Sequence, residues 1–242
     1  MENRRGSGIF LGVVSVATLV VAIIGATFAY FSASVEGNGT VNLTAYEFNA
    51  SVSVSQVSPT SAASLIPLEA TKVIPNAATP NNTNLLYAMN VAANKCIDDA
   101  GYQVCAVYKA VFTNNGSESL TLNGTLTTAK NDVRTSASEA DIRDGKATGF
   151  TNLKFNHLEL SGSTYTLSGS AIDVSDDLNG TVPIGEVTVP AGTPVEKYFV
   201  VYLNEAGEDN NPEMGASFEG ELTFTNKTGG QQLTGTFTVS GE

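Results

Sequence analysis

Few residues in this chain have the type and spacing that chemistry requires. His157 is its one histidine, which rules out any two-histidine metal centre and leaves a serine nucleophile a single available base. No G-x-S-x-G turn accompanies it, so His157 reads as a structural or exposed strand residue. Carboxylate pairs such as Asp98/Asp99 and Glu205/Glu208 fall in turn-like segments, where acids favour the backbone geometry for its own sake. The stretch from Ser175 to Glu186 has EF-hand-like spacing, with Asp177 and Asn179 at the third and fifth places, Gly180 at the sixth and Glu186 at the twelfth. Ser175 at the first place and Pro183 within the stretch also suit a plain Asp/Asn/Gly turn between strands. Asp173, Asp176, Asp177, Asn179 and Glu186 are thus the candidate ligands of an extracellular cation such as calcium. No other cofactor motif is present.

The two cysteines, Cys96 and Cys105, are too few to complete a zinc site with one distant histidine. A disulfide is the better reading. Folded as a hairpin about Ala100-Gly101, the intervening segment sets Ile97 opposite Val104 and Cys96 opposite Cys105. That pair falls on a non-hydrogen-bonded position, where side chains come closest.

Such a bridge needs an oxidising compartment, and the N-terminus supplies the route. Arg4 and Arg5 precede an apolar run, Ile9 to Ile24, which gives way to the smaller Gly25-Ala26-Thr27-Phe28-Ala29. A basic start, an apolar centre and a small-residue exit are the parts of a secretory signal. Residues 9–31 would also span roughly 34 Å as a helix, enough for a permanent anchor. Both readings keep Arg4 and Arg5 inside and export the remainder. The whole chain has 12 basic and 24 acidic residues; without Arg4, Arg5 and Glu2 these become 10 and 23, a net of −13. Such a surface repels nucleic acid and anionic lipid, so membrane contact would come only through residues 9–31 if they are retained.

The exported part reads as strands. Phe218, Gly220, Leu222 and Phe224 alternate with polar residues, as do Leu233, Gly235, Phe237 and Val239 after the turn at Asn226-Lys227-Thr228-Gly229-Gly230, which is a hairpin with one buried face. Tyr198 to Leu203 is apolar on both faces and reads as a central strand. Cys105 to Thr113 and Leu120 to Leu126 form further strands, with others at 41–45, 50–54, 164–167 and 186–189. Leu153 and Phe155 are out of phase with Leu158 and Leu160, which suggests a bulge near Asn156-His157. Ser136 and Glu139 have capping-box spacing for a short helix over 137–143. Residues 58–84, rich in Pro, Ala, Ser, Thr and Asn, read as a loop or extended arm. The fold class is all-β, an antiparallel sandwich of jelly-roll or immunoglobulin type behind the N-terminal signal or anchor helix.

The segment Gly25–Val35, GATFAYFSASV, closely resembles the signal-to-mature junction of proteins processed by SipW-type signal peptidases. The TasA/camelysin family of biofilm matrix and cell-surface proteins is their prototype. Residues 39–45, YKAVFTNNG at 108–116 and the strands at 214–224 and 235–239 are similar in a more generic way. The resemblance implies a jelly-roll-like subunit of extracellular fibres, in which the freed N-terminal segment of one subunit adds as a strand to the next. Its partners would be further copies of itself or related matrix subunits, after the signal peptidase has acted. Camelysin-type members are classed as metalloproteases; with no H-E-x-x-H and one histidine, that activity is not carried over, and the chain reads as non-enzymatic.

Physics gives the assembly reading its own support. A mature N-terminus near Tyr30 would present Phe31, Val35, Val41 and Leu43 on a Gly- and Asn-bearing strand suited to a partner's open sheet edge. The expected organisation is a signal peptide or anchor at 1–29, a donor strand and arm at 30–85 and a sandwich at 86–242, with 30–242 one folded unit at the cell surface or beyond it. Two alternatives remain open: a membrane-anchored adhesin or ligand-binding module, and a secreted hydrolase that uses carboxylates alone. Thr27 and Ala29 occupy the small-residue positions before a cut at Tyr30. Intact-mass measurement of exported protein is expected to show a chain beginning at or beside Tyr30; retention of residues 1–29 would favour the anchored module.

Overall fold

The computed structural model describes residues 43–45, 48–60, 65–68, 81–90, 95–97, 102–174, 180–204 and 211–241. They build a two-sheet antiparallel sandwich. The strands in chain order are β1 (Leu43–Ala45), β2 (Phe48–Ser58), β3 (Ala106–Asn114), β4 (Leu120–Asp132), β5 (Leu153–Ser161), β6 (Thr164–Asp173), β7 (Thr181–Val189), β8 (Val195–Leu203), β9 (Ser217–Asn226) and β10 (Gln232–Ser240). Six form one sheet in the order β1-β2-β3-β8-β5-β6, and four form the other in the order β10-β9-β4-β7. The period-two pattern at the C-terminus is the β9–β10 hairpin, with Phe224 opposite Leu233 and Gly220 opposite Phe237. The pattern leaves no room at Gly220, where a Cβ would lie 2.5 Å from the Phe237 ring.

Between the sheets the core is aromatic. Phe199 of β8 stacks on Phe155 at 4.9 Å and on Tyr108 at 5.1 Å, and meets Phe237 of the opposite sheet at 5.2 Å. Offset and edge-on contacts of this kind add stabilisation beyond the area buried. Tyr108 carries its hydroxyl across the core to the Thr238 carbonyl at 2.6 Å. Burial pushes its phenol far above the ordinary value, so it stays a neutral donor.

The outer face of the six-stranded sheet is covered too. A second apolar cluster joins Val107, Leu158, Val200 and Tyr202 from the strands to Leu68, Leu85, Ala88, Met89, Cys96 and Cys105. The covering layer comprises residues 65–68, the helix α1 (Asn81–Asn90) and the disulfide segment. One backbone bond docks it, from Leu68 N–H to the Leu203 carbonyl at 2.9 Å, and another joins its parts, from Cys96 N–H to the Ala88 carbonyl at 2.8 Å. Helix α1 begins inside the stretch expected as a loop or extended arm, 58–84, and runs past its end. Its sequence carries no acid in the first turn and no base in the last; burial of Leu85, Ala88 and Met89 stabilises it instead.

The Cys96–Cys105 disulfide is present, with Cα atoms 4.9 Å apart. The regular hairpin expected around it is not. Ile97 bridges to Gln103 rather than Val104, and the Cys96 carbonyl accepts from Val104 N–H, so the register is displaced by one residue. Lys95 and Cys96 have positive φ values of 33° and 64°, which lifts Cys96 out of strand geometry and lets it reach Cys105 diagonally.

Two further expectations change form. The β5–β8 register runs without interruption from Leu153/Leu203 to Leu158/Tyr198. Leu158 is out of phase with Phe155 because it faces the second cluster, not because β5 is bulged. The bulge lies in the partner: Phe155 pairs with Ile172 and His157 with Ser168, leaving Gly169, Ser170 and Ala171 of β6 opposite Asn156 alone. The short helix α2 spans Glu139–Arg143, and its capping box is Ser138 with Asp141 rather than Ser136 with Glu139.

Replacing both cysteines by alanine is expected to lower the unfolding free energy by roughly 2.5–3 kcal/mol from loop entropy alone. Urea titration of the two proteins would measure it, and an unchanged midpoint would remove the disulfide's stabilising role.

Candidate assembly edge

A sheet edge exposes unpaired N–H and C=O groups that invite another strand. The sandwich has four such flanks, and three are occupied or distorted. On β6, the Asn90 side chain takes both backbone groups of Tyr165, donating to its carbonyl at 2.8 Å and accepting from its N–H at 2.7 Å. The β6 bulge at Gly169–Ala171 disturbs the rest of that edge. On β7, Gly124 pairs with Gly185 and Thr125 with Pro183, so Ile184 is an extra residue and Gly185 turns through a φ of 88°. Proline and a bulge are both features that stop a strand from adding. On β10, the carbonyls of Thr238 and Ser240 already accept the Tyr108 hydroxyl and the Leu65 N–H.

The fourth flank is β2. Asn115 donates to the Asn49 carbonyl, which fixes Asn49, Ser51, Ser53 and Ser55 as the residues bonded to β3. In an antiparallel ladder the alternate residues face the other way. Ala50 uses this outward side on Leu43 of β1. Beyond it, no described residue pairs with the outward groups of Val52, Val54 and Gln56. The side chains of Val52 and Val54 point into the sandwich core, so the stretch from Val52 to Gln56 is backed by apolar residues; beyond it the register with β3 shifts between Gln56 and Ser58. A cleft of about 340 Å³ lies beside its far end, lined by Gln56, Gln103, Lys130, Glu219 and Thr238 among others.

Of the residues expected to form the assembly strand, only Leu43 lies within the described part, in β1 at the margin of this edge. Phe31, Val35 and Val41 lie outside the described residues, as do Thr27, Ala29 and Tyr30 of the cleavage region. Of the cation candidates, two lie within the described residues. Asp173 is bonded to Lys154 within the six-stranded sheet, and Glu186 sits in the other sheet with Lys227 Nζ at 2.5 Å. Asp176, Asp177 and Asn179 lie outside the described residues.

His157 occupies the opposite flank, where a cleft of about 200 Å³ opens between β5, β8 and β7 above Phe155 and Phe199. Its ring sits edge-on to Phe155 at 5.1 Å, and Ile184, the bulged residue of β7, lines the same cleft. Ser168, directly opposite His157, donates to Glu159 at 3.3 Å. Sequence reasoning had no signal for this cleft, since it depends on a bulge in a strand remote along the chain.

Burial holds the His157 pKa below its ordinary 6.5, against the upward pull of the neighbouring Ile184 backbone. A depressed folded value means the unfolded chain binds the proton first as pH falls. His157 therefore favours the native state above about pH 6.5 and withdraws that stability as pH drops toward its folded pKa. Denaturation midpoints measured from pH 8 to 5 should fall more steeply for the parent than for His157→Gln. Parallel curves would show that His157 is not the titrating group.

No family model matches the chain, and no curated protein matches it. Among solved structures it is similar to a FixG-related protein from Vibrio parahaemolyticus, 6% identical over 57% of this chain and 79% of that one, at a TM-score of 0.31. A family 123 glycoside hydrolase from Clostridium perfringens is 12% identical over 57% of this chain and 21% of that one, at 0.30. The GAE domain of yeast GGA1 is 6% identical over 84% of this chain and 99% of that one, at 0.25. At these scores the likenesses carry no argument about function.

Proposed function

We propose that this chain is a non-enzymatic structural subunit of an extracellular fibre or biofilm matrix, exported and then assembled by N-terminal strand donation. The observation that carries the reading is the contrast among the flanks. Asn90, the bulges of β6 and β7, Pro183 and the Leu65 N–H guard three of them, whereas β2 from Val52 to Gln56 has no described partner. A donor at the N-terminus and an acceptor on β2 are different surfaces of one subunit. Such a head-to-tail contact need not close, and repetition of it makes a filament. Main-chain hydrogen bonds would supply affinity, and the apolar side chains of the donor, Val41 and Leu43 among them, would set the register.

Gln56→Pro removes one outward N–H from the acceptor edge while leaving the β2–β3 ladder its bonds. The variant is expected to keep its fold by circular dichroism and to remain monomeric by light scattering and electron microscopy, at concentrations where the parent forms filaments. Deleting residues 31–45 should do the same from the donor side. If both variants assemble like the parent, or the parent stays monomeric over a wide range of concentration and pH, the strand-donation reading fails and the anchored surface module takes its place.

A further inference from the structure

The two sheets are of unequal width, six strands against four, so the narrower one cannot cover all of the wider one. Side chains two apart along a strand share a face, and the inner face of the wider sheet changes character toward β6. Phe155 of β5 is followed on that face by His157 and Glu159, and Phe199 of β8 is preceded on it by Lys197. Opposite His157 and Glu159, β6 sets Ser168 and Thr166. The last β5–β8 pair is Leu158 with Tyr198; one residue further, the same register brings Lys197 alongside Glu159. An aromatic floor therefore runs out into a polar margin that carries one acid, one base and one imidazole.

The cleft of about 200 Å³ lies on this boundary. Phe155, Phe199 and Phe224 line its buried part, and the bulged stretch of β7 forms its far wall with Ile184 and Val187. His157, Glu159, Ser168 and Lys197 line the remainder. Two of these polar groups have bonding capacity left. Glu159 engages the Ser168 hydroxyl through Oε1 alone, and Lys197 forms no ion pair among the described residues, whereas Lys227 already neutralises Glu186 at the rim. Opposite charges thus share one small cleft without closing on each other. Size narrows what could fill it: an apolar cavity of about 150 Å³ holds one benzene ring, so this cleft has room for a single ring or branched chain and a compact head group.

We infer that this cleft is a binding site for a free α-amino acid with an aromatic or branched apolar side chain. The side chain rests on the three phenylalanines, where offset and edge-on ring contacts add to the area buried. The carboxylate meets the Lys197 ammonium, and the ammonium meets Glu159 Oε2. The neutral imidazole of His157 offers one donor and one acceptor beside the head group. Selectivity follows from the adjacent charges: a zwitterion satisfies both, a simple acid faces Glu159 as a like charge, and a simple amine faces Lys197 in the same way. A ligand without net charge is also not repelled by a chain of formal charge −12. The site lies on the flank away from β2 and does not depend on the proposed assembly.

Isothermal titration calorimetry with L-phenylalanine tests this directly and should show saturable binding of one molecule per chain. Hydrocinnamate, which lacks the ammonium, and phenethylamine, which lacks the carboxylate, should each bind roughly tenfold more weakly or worse, the loss of one charge-assisted hydrogen bond. Alanine, which keeps the head group and lacks the ring, should bind more weakly still. Lys197→Gln should weaken phenylalanine to the level of phenethylamine while leaving phenethylamine itself no weaker. Glu159→Gln should weaken phenylalanine and leave hydrocinnamate no weaker. Ser168→Trp, which fills the mouth, should block all four probes with the circular dichroism spectrum unchanged. No saturable binding at millimolar phenylalanine overturns the inference, as does binding that ignores both charge substitutions or survives Ser168→Trp in full. Hydrocinnamate or phenethylamine binding as tightly as phenylalanine overturns the assignment to a zwitterion.

Discussion

The architecture depends on the two-sided burial of β8. Its residues alternate between two apolar environments, with Phe199, Val201 and Leu203 in the sandwich core and Val200 and Tyr202 in the outer cluster. A strand apolar on both faces cannot sit at a solvated surface, so the six-stranded sheet needs two covers. The four-stranded sheet is one. The other is assembled from a short helix, four residues around Leu65–Leu68 and a disulfide segment, each too small to fold by itself. The docking bonds from Leu68 to Leu203 and from Ile66 to Gln103 are consequences of that requirement.

Much of this was legible in the sequence where one physical pattern dominates. The β9–β10 hairpin follows from strict alternation around a Gly-rich turn, and the central place of β8 from the unbroken run YFVVYL. The disulfide followed from composition and compartment. Where a second layer intervenes, the reading faltered. Leu158 looked misphased only because period-two reasoning assumes one buried face. Helix α1 carried almost no local signal, because its stability comes from a surface made by residues distant in sequence. The hairpin register at the cysteines failed by one residue since two non-glycine residues there adopt positive φ, which spacing alone does not reveal.

The candidate assembly edge was half legible. The sequence exposed a donor-like segment, but an acceptor is defined by what does not pair with it. That accounting needs every neighbour of every edge strand. Asn90 on Tyr165, Leu65 on Ser240 and the extra Ile184 in β7 are contacts between parts of the chain that no local pattern connects. Only with them in place does β2 stand out. The fold spends an asparagine, a proline and two bulges on closing the other edges, a pattern natural sheets use to control where chains join.

The placement of the disulfide bears on the order in which the molecule is made. Cys96 and Cys105 are both fully buried, beneath the layer that their own segment helps to build. Disulfide exchange proceeds by in-line attack of a thiolate on sulfur and needs open access. Once the outer layer has docked, neither an oxidant nor a reductant can reach this pair without first lifting that layer. Oxidation therefore belongs to the interval before the second cluster closes, and a chain that closes while reduced is shut off from its oxidant. After closure the same burial makes the bond durable in whatever redox surroundings the protein meets.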